Sequence, residues 1–219
     1  MEVTETKQKL LDIAEALFAE KGISATSVRN IVNAADANLA AIHYHFGSKE
    51  GLVRDVFARR IEPVNTERLR VLKEIMTEKS NGAPALEKII EAFIGPPLRI
   101  EFEDKERHQL IMKLMAKVHA ENHEIREMVF SQFSTMMEQF VTALETALPH
   151  LSRIEITWRF MYMVGAMFMT MSHKPDIEKM HLKENESQDI EEVIRDMIPF
   201  LAAGFRAPTF KAVKNGDKE

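Results

Sequence analysis

Residues 38–49, NLAAIHYHFGSK, contain the side chains whose types and spacing best fit chemistry with phosphate groups and base edges. Leu39, Ala40 and Ala41 are small or apolar, and such side chains allow a helix to approach base edges closely. The following residues carry groups that can donate hydrogen bonds to phosphate oxygens: His43, Tyr44, His45, Ser48 and Lys49. Phosphate contacts position a protein on a duplex, whereas base contacts specify sequence. This composition predicts a DNA-contacting helix, although by itself it fits an ordinary polar surface helix equally well.

The flanking sequence predicts two short helices joined by a tight turn. Residues 27–35 carry apolar side chains at spacings of three and four, which indicate one buried face. Thr26 is the predicted N-cap of this helix. Residues 36–38 supply the turn, because Asp and Asn tolerate left-handed backbone, and Asn38 can cap the second helix at 39–46. Two helices connected in this way form a helix-turn-helix, whose second helix can lie in a DNA major groove.

Residues 8–57 resemble the N-terminal domain of TetR-family transcriptional regulators. The resemblance is carried by AEALFAEKG at 14–22, T-S-x-R-x-I at 26–31 and Y-H-F-x-x-K-x-x-L at 44–52. It implies a DNA-binding head at residues 1–50 that uses ten residues: Ser27, Arg29 and Asn38 near the DNA, Leu39, Ala40, Ala41 and His43 at the bases, and Tyr44, His45 and Lys49 at the phosphates.

The turn of this motif departs from the family pattern. Asp36, Ala37 and Asn38 stand where the family usually has Gly, Val and Ser or Thr. Asp can adopt the left-handed backbone of the turn at some cost relative to Gly. The base contacts do not follow from the resemblance, because the family varies them.

Composition limits the class of protein. The chain has 219 residues, a net charge of -5, 45% hydrophobic and 29% charged residues, which predicts a folded chain with a substantial core. It has no cysteine, which excludes disulfides and cysteine-ligated metals. The N-terminus is polar and does not resemble a signal peptide, and no run of eighteen apolar residues occurs. We therefore expect a cytoplasmic protein.

The pattern along the whole chain predicts an all-α protein. A first helix at 4–21 ends at Gly22, and a long helix runs from 49 to about 78 through Pro63. After a break at 79–84 we expect a helical-bundle body at 51–210 and a frayed tail at 211–219. Five further helices are predicted: 85–94, which ends at Gly95-Pro96-Pro97, then 106–120, 124–148, 152–172 and 188–205.

Methionine is concentrated in this body, with ten of the fourteen between 112 and 171. Flexible thioethers suit a pocket for apolar ligands, although a loosely specified core is an equal alternative. The predicted pocket residues are Phe93, Leu114, Met115, Val118, Phe133, Met137, Phe140 and Met161. Four cationic residues are candidates for a ligand head group or else are solvated surface residues: Arg99, Arg107, His108 and Lys113.

The helix at 152–172 is apolar on nearly every side and must be covered on more than one face. A two-fold contact between subunits through the last two helices would cover it, as would burial within one subunit. The TetR resemblance implies the dimer. The predicted interface residues are Trp158, Tyr162, Gly165, Ala166, Met169, Ile194, Met197 and Leu201.

Three further segments resemble a narrower group, the PsrA-type repressors of fatty-acid metabolism: NLAAIHYHFGSK at 38–49, PHLSRIEITWRFMYMVGA at 149–166 and IPFLAAGFRA at 198–207. This resemblance implies a fatty acid or an acyl-CoA as the ligand.

Patterns for catalysis are weak. A di-iron bundle needs two Glu-x-x-His pairs, and the chain offers one that stands out, Glu178 with His181. His119 and His123 are spaced four apart without an obvious third metal ligand. No Gly-rich phosphate loop or nucleophile elbow is present. We therefore expect neither an enzyme nor a cofactor.

The sequence thus predicts a homodimeric, ligand-responsive repressor of pseudo-palindromic operator DNA, released by a small apolar effector. The alternative is an α-helical ligand-binding protein whose head contacts a protein partner and not DNA.

Overall fold

A computed structural model describes residues 2–78, 84–103, 105–181 and 189–208, and within these ranges all regular structure is helical. This confirms the all-α prediction. The helices are α1 (Glu2–Lys21), α2 (Val28–Ala34), α3 (Leu39–Phe46), α4 (Lys49–Thr77), α5 (Leu86–Glu103), α6 (Lys105–His119), α7 (His123–Phe130), α8 (Ser134–Ala147), α9 (Arg153–His181) and α10 (Ile190–Arg206). The predicted tail at 211–219 and most of the predicted break at 79–84 lie outside the described residues.

The cap of α2 differs from the prediction. Ser27, not Thr26, is the N-cap. Its side chain accepts from the Asn30 backbone N–H, and the Ser27 backbone N–H donates to the Asn30 side-chain oxygen. This reciprocal pair is a capping box. Thr26 is fully buried, and its hydroxyl donates to the Gly22 carbonyl at 2.8 Å, so it closes the loop between α1 and α2 instead.

The turn between α2 and α3 has the predicted chemistry. Asp36 has a φ of 50°, which is the left-handed backbone expected there. Asn38 caps α3 by accepting from the Ala41 N–H at 2.9 Å. The helix begins and ends at the predicted residues, and Gly47 with a φ of 75° follows it.

Three helices of the body differ from the prediction. Helix α9 continues to His181, nine residues beyond the predicted end at 172. The region expected as one helix at 124–148 is divided by a 3₁₀ turn at Ser131–Phe133 into α7 and α8. Helix α5 does not end at residue 94 but continues through Gly95, Pro96 and Pro97 to Glu103. A proline inside a helix leaves the carbonyl four residues earlier without its usual donor. For Pro97 that carbonyl belongs to Phe93, and the Arg68 Nε donates to it at 2.8 Å from α4.

Two hydrophobic cores organise the chain. The first joins α1, α2, α3 and the first half of α4 and is completed by Leu114 and Val118 of α6 and Val129 of α7. The second joins the end of α4 with α5, α8, α9 and α10 around Phe93, whose ring centroid lies 4.7 Å from that of Phe160. The division predicted at residue 50 stays a prediction, since the first core draws residues from both sides of it.

Gly51 permits the close corner between α3 and α4. A Cβ at this position would lie 2.0 Å from the Phe46 carbonyl oxygen, a backbone atom that cannot rotate away. We expect Gly51→Ala to lower the free energy of unfolding by about 1–3 kcal/mol through overpacking. The measurement is thermal and urea denaturation followed by circular dichroism.

The matched control is Gly204→Ala in α10, where an added Cβ meets no atom within 4 Å. It should be neutral or raise stability by up to about 1 kcal/mol, because Ala favours helix over Gly. Equal stability of Gly51→Ala and the wild type would contradict the steric argument.

Candidate nucleic-acid interface and buried cavity

The outer face of α3 is formed by four of the predicted DNA-contacting residues. Leu39, Ala40, His43 and Tyr44 are exposed, with Tyr44 at 76%, while Ile42 is buried in the first core. Positions three and four apart share a side of a helix, so these four residues form one continuous surface. Its small and polar side chains can approach the edges of bases.

His43 has a defined hydrogen-bonding pattern. Its Nδ1 lies 3.0 Å from the Gly47 carbonyl oxygen. A carbonyl only accepts hydrogen bonds, so Nδ1 carries the proton and Nε2 of the neutral ring is an acceptor. In the major groove, adenine N6 and cytosine N4 amino groups are the donors that such an acceptor can meet.

The other predicted head residues differ in their surroundings. Arg29 is exposed on α2 and the His45 ring lies edge-on to Tyr44 with centroids 4.9 Å apart. The side chains of Ser27 and Asn38 cap α2 and α3, so both have structural roles at helix N-termini. The Ala41 side chain is half-buried against the first core.

Lys49 lies at the start of α4, and its Nζ donates to the Ile23 carbonyl at 2.7 Å. Burial lowers the pKa of Lys49, and the neighbouring charges of Glu121 and Glu50 oppose this shift. Because an ammonium group has three N–H donors, the same nitrogen can also donate to a phosphate. Lys49 therefore fastens α4 to the loop between α1 and α2, a role the sequence did not indicate.

Glu121, in the link between α6 and α7, binds the same loop from the side of the body. Its carboxylate accepts the Ile23 N–H at 2.6 Å, the Ser24 N–H at 3.1 Å and the Ser24 hydroxyl. Burial favours a raised pKa for Glu121, but the Ser24 and Ile23 hydrogen bonds and the Lys49 charge outweigh it and lower the pKa. Sequence analysis missed this residue, because its partners lie almost one hundred positions away.

A second polar contact joins α1 to α4. The Glu15 carboxylate is buried and accepts from Arg60 at 2.6 and 2.8 Å, as well as from Arg59. Burial of a carboxylate is tolerated when it is paired and hydrogen-bonded in this way. Glu15 therefore stabilises the packing of α1 on α4.

A cavity of about 130 Å³ lies between α4, α5, α6 and α9. Its apolar lining is dominated by Met112, Met115, Phe133, Met167, Phe168 and Met171, and its charged lining residues are Arg60 and Arg68. Two of the predicted pocket residues, Met115 and Phe133, belong to this lining.

The other six predicted pocket residues do not line this cavity. Phe93 and Phe140 are buried in the second core, Met137 packs against that core, and Leu114 and Val118 are buried in the first core. Met161 is 44% exposed on the outer side of α9. Helical periodicity identified apolar faces, but it does not distinguish the wall of a cavity from a close-packed core.

Helix α6 connects the cavity with the head. Ile111, Met112 and Met115 line the cavity, while Leu114 and Val118 of the same helix pack into the first core. Glu121 follows shortly after the end of α6 and accepts a hydrogen bond from Ile23 in the loop between α1 and α2. Helix α6 therefore connects the cavity lining directly with the first core.

The cationic residues proposed at the cavity mouth lie elsewhere or outside the described side chains. Arg99 pairs with Glu191 at 2.7 Å and with Glu91 at 3.1 Å in an open groove between α4 and α5. Its hydrogen bonds to Glu191 and Glu91 raise the pKa of Arg99. Lys113 is exposed. The side chains of Arg107 and His108 lie outside the described part of the chain.

The outer face of α9 carries an apolar stripe, hereafter the outer stripe. Its exposed side chains are Ile154, Trp158, Met161, Tyr162 and Met169, and Phe200 is a further exposed apolar residue on α10. Gly165 is exposed, and Ala166 and Met197 are half-buried. Ile194 and Leu201 were predicted at the interface, but they are 2% and 7% exposed in the second core of their own chain.

Neither metal ligation nor a membrane span emerges from the described residues. In these ranges, no group of three or more His, Asp or Glu is placed to hold a metal ion. The His119 Nδ1 lies 2.9 Å from the Met115 carbonyl oxygen, and His123 lies 3.5 Å from Glu127. The side chains of Glu178 and His181 lie outside the described set. None of the helices described is both long and apolar enough to cross a bilayer.

Comparison with known proteins identifies the relatives of both parts of the chain. Residues 10–56 match the family "Bacterial regulatory proteins, tetR family", and residues 91–204 match "Tetracyclin repressor-like, C-terminal domain". The chain is 46% identical over 50 residues to the HTH-type transcriptional repressor KstR2 of Rhodococcus jostii, which is 23% of this chain and 24% of that protein. It is 44% identical over 57 residues to the probable HTH-type transcriptional regulator YttP of Bacillus subtilis, 26% of this chain and 28% of that protein. These alignments thus span about a quarter of each relative.

Solved structures share the complete fold at low sequence identity. A TetR-family transcriptional regulator from Bordetella parapertussis has a TM-score of 0.60 at 18% identity, covering 89% of this chain and 93% of that one. The ketosteroid transcriptional regulator KstR2 of Mycobacterium tuberculosis has a TM-score of 0.55 at 14% identity, covering 90% and 93%. The matched families and relatives are regulators and not enzymes. With its helix-turn-helix head and the matched C-terminal domain, this chain belongs to the TetR family of bacterial transcriptional regulators.

Proposed function

We propose that this chain is a homodimeric repressor of a pseudo-palindromic operator, released from DNA by a small apolar effector in the cavity. The observation that carries the proposal is the position of α6, which lines the cavity with one face and completes the first core with another. A single helix thus contacts both the site of a ligand and the domain that reads DNA.

DNA binding is supported by the exposed surface of α3. Leu39, Ala40, His43 and Tyr44 point away from the core and have the size and polarity that base and phosphate contacts require. In a dimer, two such helices would occupy half-sites about 34–36 Å apart, one turn of the duplex.

Self-association is supported by the outer stripe. Trp158 and Tyr162 on α9 are 59% and 66% exposed with ring centroids 6.1 Å apart, and Phe200 on α10 is 72% exposed. Apolar patches of this kind on a folded protein mark interaction sites. The second copy is the occupant that accords with the family and with the two-fold symmetry of a palindromic operator.

An apolar effector is supported by the lining of the cavity. Four methionines and two phenylalanines surround it, and thioether side chains adapt to the shape of a flexible chain. A fatty acid or its CoA ester is the ligand class we propose. By linkage, an effector that weakens DNA binding by some factor is itself bound more weakly by that factor on DNA.

The first test concerns the DNA contacts. His43→Ala should reduce discrimination at one base pair by about 1–3 kcal/mol, because the Nε2 acceptor is lost. Tyr44→Phe combined with His45→Ala should instead weaken binding uniformly across sequences, because phosphate contacts carry no sequence information. The measurement is fluorescence anisotropy on DNA from upstream of the chain's own gene, extended by selection from a random library.

Lys73→Ala is the matched control, since it removes an exposed charge from α4 outside the head. An unchanged sequence preference in His43→Ala would remove His43 from base reading. Absence of any sequence-specific binding by the wild type to the selected library would favour the protein-partner alternative.

The second test concerns the dimer. Trp158→Glu with Tyr162→Glu should convert the protein to a monomer, because two charges cannot be buried in an apolar contact without partners. The measurement is light scattering after size-exclusion chromatography. Phe130→Glu is the control, because Phe130 is an exposed aromatic residue on α7 that does not belong to the outer stripe. A dimer that persists in the double variant would exclude this surface as the interface.

The third test concerns the contact between body and head. Glu121→Gln keeps the shape of the side chain but removes charge from its hydrogen bonds, and charged bonds contribute about 1–2 kcal/mol more than neutral ones. We expect faster hydrogen exchange at the amides of Ile23 and Ser24, a lower free energy of unfolding, and weaker coupling between effector and DNA binding.

The pH dependence of this effect has a defined sign. Since the pKa of Glu121 is lowered on folding, its stabilisation is complete at neutral pH and is lost as the pH falls through the lowered value. The difference between wild type and Glu121→Gln should therefore shrink in acid. Glu124→Gln, an exposed acid in the first turn of α7, is the control: it should cost at most about 1 kcal/mol of stability and leave hydrogen exchange at Ile23 and Ser24 unchanged. Unchanged exchange at Ile23 and Ser24 would refute the contact.

A further inference from the structure

Arg68 is a buried cation in the wall of the cavity. The residue is 3% exposed and lines the space formed by α4, α5, α6 and α9. Among the described residues, no carboxylate forms an ion pair with it. Arginine is seldom buried so completely without a partner of opposite charge.

The hydrogen bonds of Arg68 leave part of its guanidinium unused. Its Nε donates to the Phe93 carbonyl at 2.8 Å, one Nη to the Asn65 carboxamide oxygen at 3.3 Å, and the other to the Met167 sulfur at 3.5 Å. These three bonds use three of the five N–H groups of a guanidinium. The bond to sulfur is weak, since a thioether is a poor acceptor.

The structural role of Arg68 does not require its charge. The Phe93 carbonyl needs a donor because Pro97 has no N–H, and a neutral amide could supply one. The guanidinium also stacks 4.1 Å from the centroid of the Phe93 ring, which partly offsets its desolvation. Burial lowers the pKa of Arg68 to about 9, so the group remains a cation at neutral pH. A buried charge is thus maintained at a cost and has no counter-ion in the described part of the chain.

The surroundings of Arg68 indicate what a counter-ion would be attached to. Met112, Met167, Phe168 and Met171 supply apolar walls beside the guanidinium. Arg60, the other cation of the lining, is already paired with Glu15. A ligand that fits both features has one carboxylate and an apolar chain.

We propose that Arg68 binds the carboxylate of a free, monoanionic apolar acid as the effector in this cavity. This inference rests on the proposed effector site and selects the free acid over its CoA ester. An acyl thioester carries no charge at the carbonyl end of its chain, so it cannot neutralise Arg68 there. The cavity has a volume of about 130 Å³. Ligand pockets usually exceed about 300 Å³, so chain methylenes must displace methionine side chains, which are flexible enough to move.

The experiment compares acids with alcohols of the same chain length on the full-length protein. Isothermal titration is performed with hexanoate, octanoate and decanoate and with the corresponding primary alcohols. The wild type should bind at least one acid about tenfold or more tightly than its alcohol, because a charge-assisted pair adds that much to a neutral bond. This comparison needs no variant and is independent of any effect on folding.

The variants assign the preference to one residue. Arg68→Gln retains a donor for the Phe93 carbonyl and should bind acid and alcohol with equal affinity, whereas Arg68→Lys should keep part of the preference. Arg70→Gln, on the exposed side of α4 and paired with Glu67 and Glu74, is the control and should match the wild type. Circular dichroism verifies that each variant is folded.

The outcomes separate this inference from the proposed function. Equal binding of acid and alcohol by the wild type, an acid preference that survives in Arg68→Gln, or no binding of any acid would each overturn the role of Arg68. Binding of a CoA ester that is indifferent to Arg68→Gln would do the same. Anisotropy on operator DNA is measured in parallel: an acid that binds through Arg68 without releasing DNA supports the site but contradicts its effector role, and release of DNA supports both.

Discussion

The insertion of α6 into the first hydrophobic core is the constraint on which the arrangement of this protein depends. Leu114 and Val118 are buried among side chains of α1, α2, α3 and α4, so the head is packed directly on the body. Burial of two such side chains is worth several kcal/mol, since each contributes about 1.5–3 kcal/mol. Because a neighbouring face of α6 lines the cavity, a ligand cannot displace this helix without disturbing the packing of the head.

Hydrogen bonds between the head and the body add directional contacts to this apolar packing. Glu121 accepts two backbone N–H groups and a hydroxyl from the loop between α1 and α2, and Lys49 donates to a carbonyl of the same loop. The loop is held from one side by the body and from the other by the start of α4. Since α3 leads directly into α4 through a corner that Gly51 permits, the orientation of the exposed face of α3 depends on both contacts.

In the body, a buried charged side chain of α4 compensates for a proline inside helix α5. Helix α5 continues through Pro96 and Pro97, and Arg68 on α4 supplies the donor that the Phe93 carbonyl lacks. The same guanidinium faces a cavity lined by methionines. One side chain thus satisfies a backbone group, stacks on an aromatic ring and presents positive charge to an apolar space, which explains why its burial is tolerated before a ligand supplies a counter-ion.

The amino-acid sequence by itself determined what depends on near neighbours along the chain. The bounds of α3, its Asn38 cap and the left-handed Asp36 follow from side chains within a few residues of the groups they bind. The predicted end of α5 and the predicted N-cap of α2 were wrong, because in each case a hydrogen-bond partner other than the expected one was available. Only the tertiary structure decided which apolar faces became core, cavity or surface, as Ile194 and Met161 illustrate. It also decided the roles of Glu121 and Arg68, whose bonds to Ile23 and Met167 span 98 and 99 positions. Such contacts depend on how helices pack, and no local periodicity encodes them.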